Sequence, residues 1–371
     1  MNIGIFLGHP AHFHLLKNMA GNIEKDGHKV FFVIKQKDIL ETLLKDAGYS
    51  YTIIREKRGN GLLELIKSVL HMELGMCTFL YRNKIDVLVG TTLSFAARVI
   101  MRVSVVVCNE DDANVVPKFA KLVYPFASAI LAPTCCNNGQ WESKSSKYPS
   151  YHELAYLHPN HFKADEKIVT GYGIDVTKPY FVMRFASLNA HHDSGIKGIN
   201  TEIAQRLIDI LSPHGTIYIT SERPLETQFE QYRIRINPLH MHDVMAFASL
   251  YIGDSQTMAA EAGVLGVPFV RFNDFVGRIG YLRELEDVYE LGYGIKASAL
   301  DSVDKLCTRV ESLVAMDASQ RKTILAARRQ QMLKDKIDCA KFLTWFIENY
   351  PQSVSEVKGK DAKDSFWQQF K

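Results

Sequence analysis

The feature that most restricts how this chain can fold is an alternation of short β-branched runs with amphipathic helical stretches, performed twice. Asn2 to Leu7 reads as a strand, followed by a helix to Asp26, a strand Lys29 to Ile34, a helix to Ala47 and a strand Tyr51 to Ile54. A long helical stretch from Gly61 to Asn83 comes next, then strands near Val87 to Val89, Ser104 to Cys108 and Ala129 to Leu131, separated by helices. Strands joined through helices cannot pair as hairpins, so they align in parallel sheets covered on both faces. Between Thr134 and Lys178 the pattern lapses into Asn, Ser, Lys, Tyr, Pro and Gly, the composition of an interdomain connection. The alternation then restarts with Tyr180 to Phe185, Thr216 to Ser221, Leu250 to Asp254 and Phe269 to Phe272, and the chain closes in helices. At 371 residues two cores are the default. The expectation is an α/β protein of two Rossmann-like domains, residues 1–165 and 166–345, with 346–371 as a tail. Ligands would then bind where the strand C-termini of the two parallel sheets face each other across a cleft.

Composition narrows the partners. A net charge of +3 is too small to point to nucleic acid, although a basic face could still meet an anionic membrane. The six cysteines are scattered, and adjacent Cys135-Cys136 has neither C-x-x-C nor zinc spacing, which fits a reduced cytoplasmic setting. The N-terminus opens on a strand without a signal-peptide pattern, and the most apolar run, Val87 to Cys108, carries Arg98 and Arg102. The helix from Gly61 to Asn83 offers Leu62, Leu63, Leu65, Ile66, Val69 and Leu70 flanked by Lys67, Arg82 and Lys84, which would suit peripheral membrane contact; Glu64 and Glu73 favour a buried helix instead.

The segment Ile252 to Pro268 reads as a buried strand turning directly into a helix rich in small residues. Ser255, Gln256 and Thr257 would stand at the helix start, where N–H groups without intrahelical partners and the positive end of the dipole attract an anion. Glu261, four residues beyond Thr257 on nearly the same face, would present a carboxylate to ribose hydroxyls. A capped core helix, with Asp254 or Ser255 as N-cap, is the alternative.

Other polar residues gather where strands end. His9, His12 and His14 follow the first strand; His9 and His14 are read as capping or packing residues and His12 as a proton-transfer group. Glu110 and Asp111, after the strand ending at Cys108, could act as a base, bind sugar hydroxyls or hold a metal, or simply form a solvated loop before a helix. In the second half Arg184 could pair with a diphosphate and His191 or His192 could donate to phosphate or sugar. Thr220, Ser221 and Arg223 form a parallel loop, and His240 and Met241 could frame a base. His191-His192-Asp193 with His240, His242 and Asp243 also invites a dinuclear metal reading, but the loops suit a nucleotide better and no metal is expected. Neither G-x-G-x-x-G after the first strand nor a P-loop motif occurs.

The layout resembles the GT-B fold of nucleotide-sugar glycosyltransferases and of the UDP-N-acetylglucosamine 2-epimerases. More closely, His9-Pro10-Ala11-His12, Arg184-Phe185 with Ala190 to Asp193, and Gly253-Asp254-Ser255 through Glu261 to Leu265-Gly266-x-Pro268 resemble the bacterial and archaeal domain-of-unknown-function family 354. The resemblance implies a C-terminal domain that holds a nucleotide-diphosphate sugar, a UDP-sugar by preference, with Glu261 on the ribose. The N-terminal domain would hold a glycan or lipid-linked acceptor, and His12 matches a histidine near the reaction centre in one transferase branch. For the epimerases, Gly90-Thr91-Thr92 lacks the aspartate expected after the fourth strand and only Glu110 matches an acid after the fifth. The leading expectation is a metal-independent glycosyltransferase of cell-surface glycan synthesis, needing no cofactor beyond its sugar donor. A UDP-sugar 2-epimerase or hydrolase, and a non-catalytic nucleotide-sugar-binding protein, are the alternatives.

Overall fold

The computed structural model describes residues 1–35, 38–54, 62–91, 95–186 and 198–371, which divide into two units: Met1–Tyr156 with Lys336–Lys371, and Leu157–Asp335. The first unit runs β1 (Asn2–Leu7), α1 (Pro10–Lys25), β2 (Lys29–Lys35), α2 (Asp38–Asp46), β3 (Tyr51–Ile54), α3 (Leu62–Asn83), β4 (Val87–Gly90), α4 (Phe95–Val99), β5 (Ser104–Cys108), α5 (Pro117–Val123), β6 (Ala129–Pro133) and β7 (Ser145–Tyr148). Its seven strands are all parallel, in the order β3-β2-β1-β4-β5-β6-β7. The order reverses between β1 and β4, so a crevice opens at their C-terminal ends. The central strands are near-continuous apolar runs because helices cover both faces. At the reversal Gly90 pairs with Phe6, and a Cβ on Gly90 would stand 2.5 Å from the Phe6 carbonyl oxygen, so only glycine fits there.

The second unit contains α6 (Glu166–Thr170), β8 (Tyr180–Phe185), α7 (Thr201–Leu211), β9 (Thr216–Ser221), α8 (Met241–Ala246), β10 (Leu250–Gly253), α9 (Gln256–Leu265), β11 (Phe269–Phe272), α10 (Gly280–Arg283), β12 (Gly292–Ile295), α11 (Ser302–Ala315) and α12 (Ala318–Asp335). Its five strands are parallel in the order β12-β11-β10-β8-β9, with the reversal between β8 and β10. Here too a glycine closes the strand: a Cβ on Gly253 would lie 2.8 Å from the Arg184 carbonyl oxygen. Ile203, Leu207 and Leu211 of α7 and Leu306 and Val310 of α11 join the apolar face of β8, β9 and β10 in one buried cluster.

The α/β class with two Rossmann-like units agrees with the sequence reading, but the boundaries need correction. The divisions fall after Tyr156 and Asp335, not after residues 165 and 345, and residues 346–371 are no tail. The chain returns to the first unit with α13 (Cys339–Glu348) and α14 (Gln352–Val357). Aromatic packing explains the return: the Phe342 ring lies 5.0 Å from Tyr148, 5.6 Å from Trp367 and 5.5 Å from Phe370, between centroids. Ser150 Oγ donates to Ile337 O at 2.6 Å, and Asn22 of α1 donates to Thr344 of α13 at 3.3 Å. The stretch expected to be irregular also holds a strand, β7, whose pairing with β6 extends the first sheet.

Candidate functional site

In the first unit, α1 begins two residues after β1, which puts its first turn over the β1/β4 reversal. His9 is the N-cap, its Nδ1 accepting from Ala11 N–H at 3.2 Å, and His14 is buried against Phe13 and Tyr156; both act structurally, as expected. His12 does something else. Its Nδ1 accepts from Gly8 N–H at 3.2 Å, which puts the ring proton on Nε2. Thr91 Oγ1, from the residue after β4, lies 2.7 Å from that Nε2 and 2.5 Å from Nδ1. Half-buried His12 thus spans the reversal, held in one tautomer by the β1–α1 turn. Thr92 lies outside the described residues.

Beside it, the loop after β5 is knitted into the fold. Asn109 Nδ2 donates to Asp111 O at 3.0 Å, Cys136 Sγ donates to Glu110 O at 2.8 Å, and Asp112 Oδ1 accepts from Asn137 N–H at 2.8 Å. The expected candidates separate here. Asp111 contributes a backbone acceptor to this loop, whereas the Glu110 carboxyl turns toward His152, accepting from its N–H at 3.1 Å and standing 3.5 Å from Nδ1. Both side chains are mostly removed from solvent, at 16% exposure for Glu110 and 11% for His152. Burial, then the charges of Glu153 and Asp111, raises the Glu110 pKa well above the carboxylate range, and burial lowers that of His152 to about 3. Burial therefore disfavours charge on both members of the pair, the environment in which a carboxyl can act as a proton donor. His152 carries no motif and follows β7, so nothing in its sequence neighbourhood marks it.

In the second unit the strand-to-helix segment forms as expected. Ser255 is the N-cap of α9, its Oγ accepting from Met258 N–H at 3.5 Å, and Gly266 ends the helix with φ +85°. Gln256 and Thr257 occupy the first turn, half-buried. Asp254 acts elsewhere, its carboxylate accepting from Ala186 N–H at 2.6 Å and from Ile199 N–H at 3.3 Å. These two residues lie on either side of 187–197, a stretch outside the described residues that includes His191 and His192. Burial outweighs those two bonds and raises the Asp254 pKa to about 6.

Two arginines stand at the same strand ends. Arg184, at the end of β8, donates through Nη2 to Glu222 Oε1 at 2.5 Å. Arg223 donates to Ile199 O and lies over the Phe185 ring, 5.3 Å from its centroid. Among the described residues Arg184 Nε, Arg223 Nε and the buried Thr220 Oγ1 have no hydrogen-bond partner. Ser221 closes its own turn, accepting from Arg223 N–H at 3.1 Å and donating to Arg223 O at 2.7 Å.

Glu261 already has a partner. It is 6% exposed, and its Oε1 lies 2.9 Å from His242 Nε2 inside the unit. One carboxylate oxygen is therefore engaged by a buried imidazole on α8. His242 is thus a site neighbour that sequence alone places only in a metal set. Within the described part of that set, His240 Nδ1 meets Tyr172 Oη at 2.9 Å and Asp243 accepts from Asp165 N–H at 2.8 Å, while His191, His192 and Asp193 lie outside the described residues. No cluster of three or more metal-ligating side chains occurs among the described residues. Met241, half-buried, opens α8 next to them.

The same architecture recurs in solved structures at low identity. A Listeria monocytogenes protein assigned as a UDP-N-acetylglucosamine 2-epimerase superposes with TM-score 0.66 at 12% identity, over 95% of this chain and 97% of that one. S. aureus MnaA in a co-structure with UDP gives 0.64 at 14% identity, covering 97% and 98%. The spinosyn rhamnosyltransferase SpnG, complexed with spinosyn aglycone, gives 0.60 at 12% identity, covering 94% and 100%. The fold is therefore GT-B-like, shared by nucleotide-sugar epimerases and glycosyltransferases. No curated protein matches the sequence. Residues 1–276 match the model for "Protein of unknown function (DUF354)", and the chain belongs to that family.

Proposed function

We propose that the protein is a metal-independent glycosyltransferase that takes a nucleotide-diphosphate sugar, UDP-linked, and transfers the sugar to a glycan or lipid-linked acceptor in cell-surface polysaccharide synthesis at the cytoplasmic side of the membrane. The observation that carries the donor half of this reading is the convergence at the β8/β10 reversal. The N-terminus of α9, Arg184, Arg223 and the hydroxyl of Thr220 all stand at C-terminal strand ends of one sheet. Such a set stabilises a departing diphosphate by dipole and charge-assisted hydrogen bonds, the work a metal does elsewhere. His12, held beside Thr91 at the β1/β4 reversal, supports the transfer half: its Nδ1, the ring nitrogen without a proton, would exchange its bond to Gly8 N–H for an acceptor hydroxyl and take that hydroxyl's proton.

A second reading rests on Glu110 and His152. A buried carboxyl 3.5 Å from an imidazole, at the end of a central strand, is a group that could give and take a proton as elimination and readdition across a sugar ring require, which favours a 2-epimerase. Incubation with a panel of nucleotide sugars, with and without envelope glycan acceptors, separates the two. Free nucleotide that depends on acceptor supports transfer, and an isomerised donor without acceptor supports epimerisation. If neither UDP nor CDP raises the melting temperature, the nucleotide site itself is wrong.

A further inference from the structure

The first unit carries an apolar face on its outer helices. Leu70 and Leu74 lie one turn apart on α3 and are 58% and 67% exposed, and Phe95, Val99 and Ile100 on or just after α4 are 44%, 48% and 61% exposed. Isolated exposed apolar residues are ordinary, so contiguity decides. Glu73, between the two leucines, accepts from the N–H groups of Phe95 and Ala96 at 3.2 and 2.7 Å, which welds α3 to the start of α4. The Phe95 ring meets Phe126 edge-on at 5.1 Å, and α4 packs on the turn Tyr124–Phe126 that follows α5. Leu122, 72% exposed, precedes that turn. Lys144 Nζ donates to Pro125 O at 2.7 Å in the same turn, and Arg98 lies close enough to act on its charge.

The charge around this face is mostly of one sign: α3 adds Glu64, but that carboxylate accepts from Lys67 on the same helix at 2.8 Å. From Phe95 to Asn109 and from Ala113 to Trp141 the chain contains no Asp or Glu, and its charged residues are Arg98, Arg102, Lys118 and Lys121, all exposed. Glu73, the acid nearest the leucines, is spent on the α4 N-terminus, where the helix dipole holds it. A two-fold contact with a second copy would set these cations against themselves. A bilayer of anionic lipid instead receives the apolar side chains at the headgroup boundary and neutralises the cations around them.

We propose that the α3–α4 face of the first unit is a peripheral docking surface for an anionic lipid bilayer. The docking is interfacial, since no helix among the described residues is long and apolar enough to cross a membrane. It is independent of the nucleotide reading, which concerns the other unit. Co-sedimentation of the full chain with vesicles tests it. Binding is expected to equimolar phosphatidylcholine and phosphatidylglycerol, to fall with added salt, and to be far weaker to phosphatidylcholine alone. R98Q and K121Q should each lower the partition coefficient about fivefold. Replacing Leu74 and Ile100 by serine should lower it roughly tenfold or more with unfolding temperature unchanged, because both side chains are already in water. Absence of binding to anionic vesicles at low salt overturns the proposal, as does binding that the serine substitutions leave intact. Self-association abolished by those substitutions without vesicle binding overturns it in favour of a second copy.

Discussion

The two sheet reversals share a geometry and differ in chemistry. In each, a glycine at the end of a central strand lets two backbones approach, and a helix begins within two or three residues of a strand end. At β1/β4 the groups gathered can exchange a proton: His12 beside Thr91 and, after neighbouring β5, Glu110 turned toward His152. At β8/β10 they are two arginines, a buried hydroxyl and a capped helix N-terminus. One set is suited to moving a proton and the other to holding an anion, a contrast set by what the loops carry and not by the fold element they share.

The largest expected effect breaks this division at its proton-handling end. His12→Ala should lower turnover about a hundredfold or more while leaving the affinity for UDP unchanged, read by initial rates and calorimetry in parallel. A matching loss of UDP affinity would move His12 into the binding set and erase the distinction. Next come the glycines. Gly90→Ala meets a backbone oxygen that cannot retreat and should cost about 3 kcal/mol of unfolding free energy. Gly253→Ala also meets a backbone oxygen, that of Arg184, but at 2.8 Å where Gly90 has 2.5 Å, and should cost nearer 2 kcal/mol in the same denaturant titration. Equal costs would mean the two reversals are equally tight.

The β8/β10 reversal should add its own pH dependence through Asp254. Its folded pKa, raised to about 6 from 3.8, means that folding favours the protonated form. Its contribution to stability is therefore full below about pH 4 and lost as pH rises through 6, by something on the order of 3 kcal/mol. Denaturation midpoints of native protein and D254N, measured between those limits, should converge in slope only if Asp254 is not the source.

Much of this was legible in the chain. The strands Ser104–Cys108, Tyr180–Phe185, Thr216–Ser221 and Phe269–Phe272 were readable because buried parallel strands are short apolar runs between helical periods. Strands β7 and β12 escaped: Ser145–Tyr148 is half polar and Gly292–Ile295 has two glycines, so neither shows a β pattern, and each joins a sheet at its edge where pairing overrides propensity. The domain boundary escaped for a related reason, since the return of α13 to the first unit is set by aromatic contacts across nearly two hundred residues of sequence. The site was legible by position, not by partner. Strand ends nominated His12, Glu110 and Arg184, and helix spacing nominated Glu261, but that Glu110 faces His152 and Glu261 faces His242 are tertiary facts no local spacing encodes.

The smallest effect is the most discriminating for the anion side. Arg184 already has a carboxylate, Glu222, which is 46% exposed and holds Nη2 at 2.5 Å. A diphosphate bound at this reversal must compete with that carboxylate for the guanidinium, and an exposed ion pair is worth well under about 1 kcal/mol. Glu222→Gln removes the competitor while leaving the arginine in place, so UDP should bind about threefold tighter, and Arg184→Ala in the same background should reverse the gain. Unchanged affinity in E222Q would show that Arg184 serves the fold of its own loop, leaving Arg223 and the α9 N-terminus as the anion-binding groups and narrowing the contrast between the two reversals to a single cation.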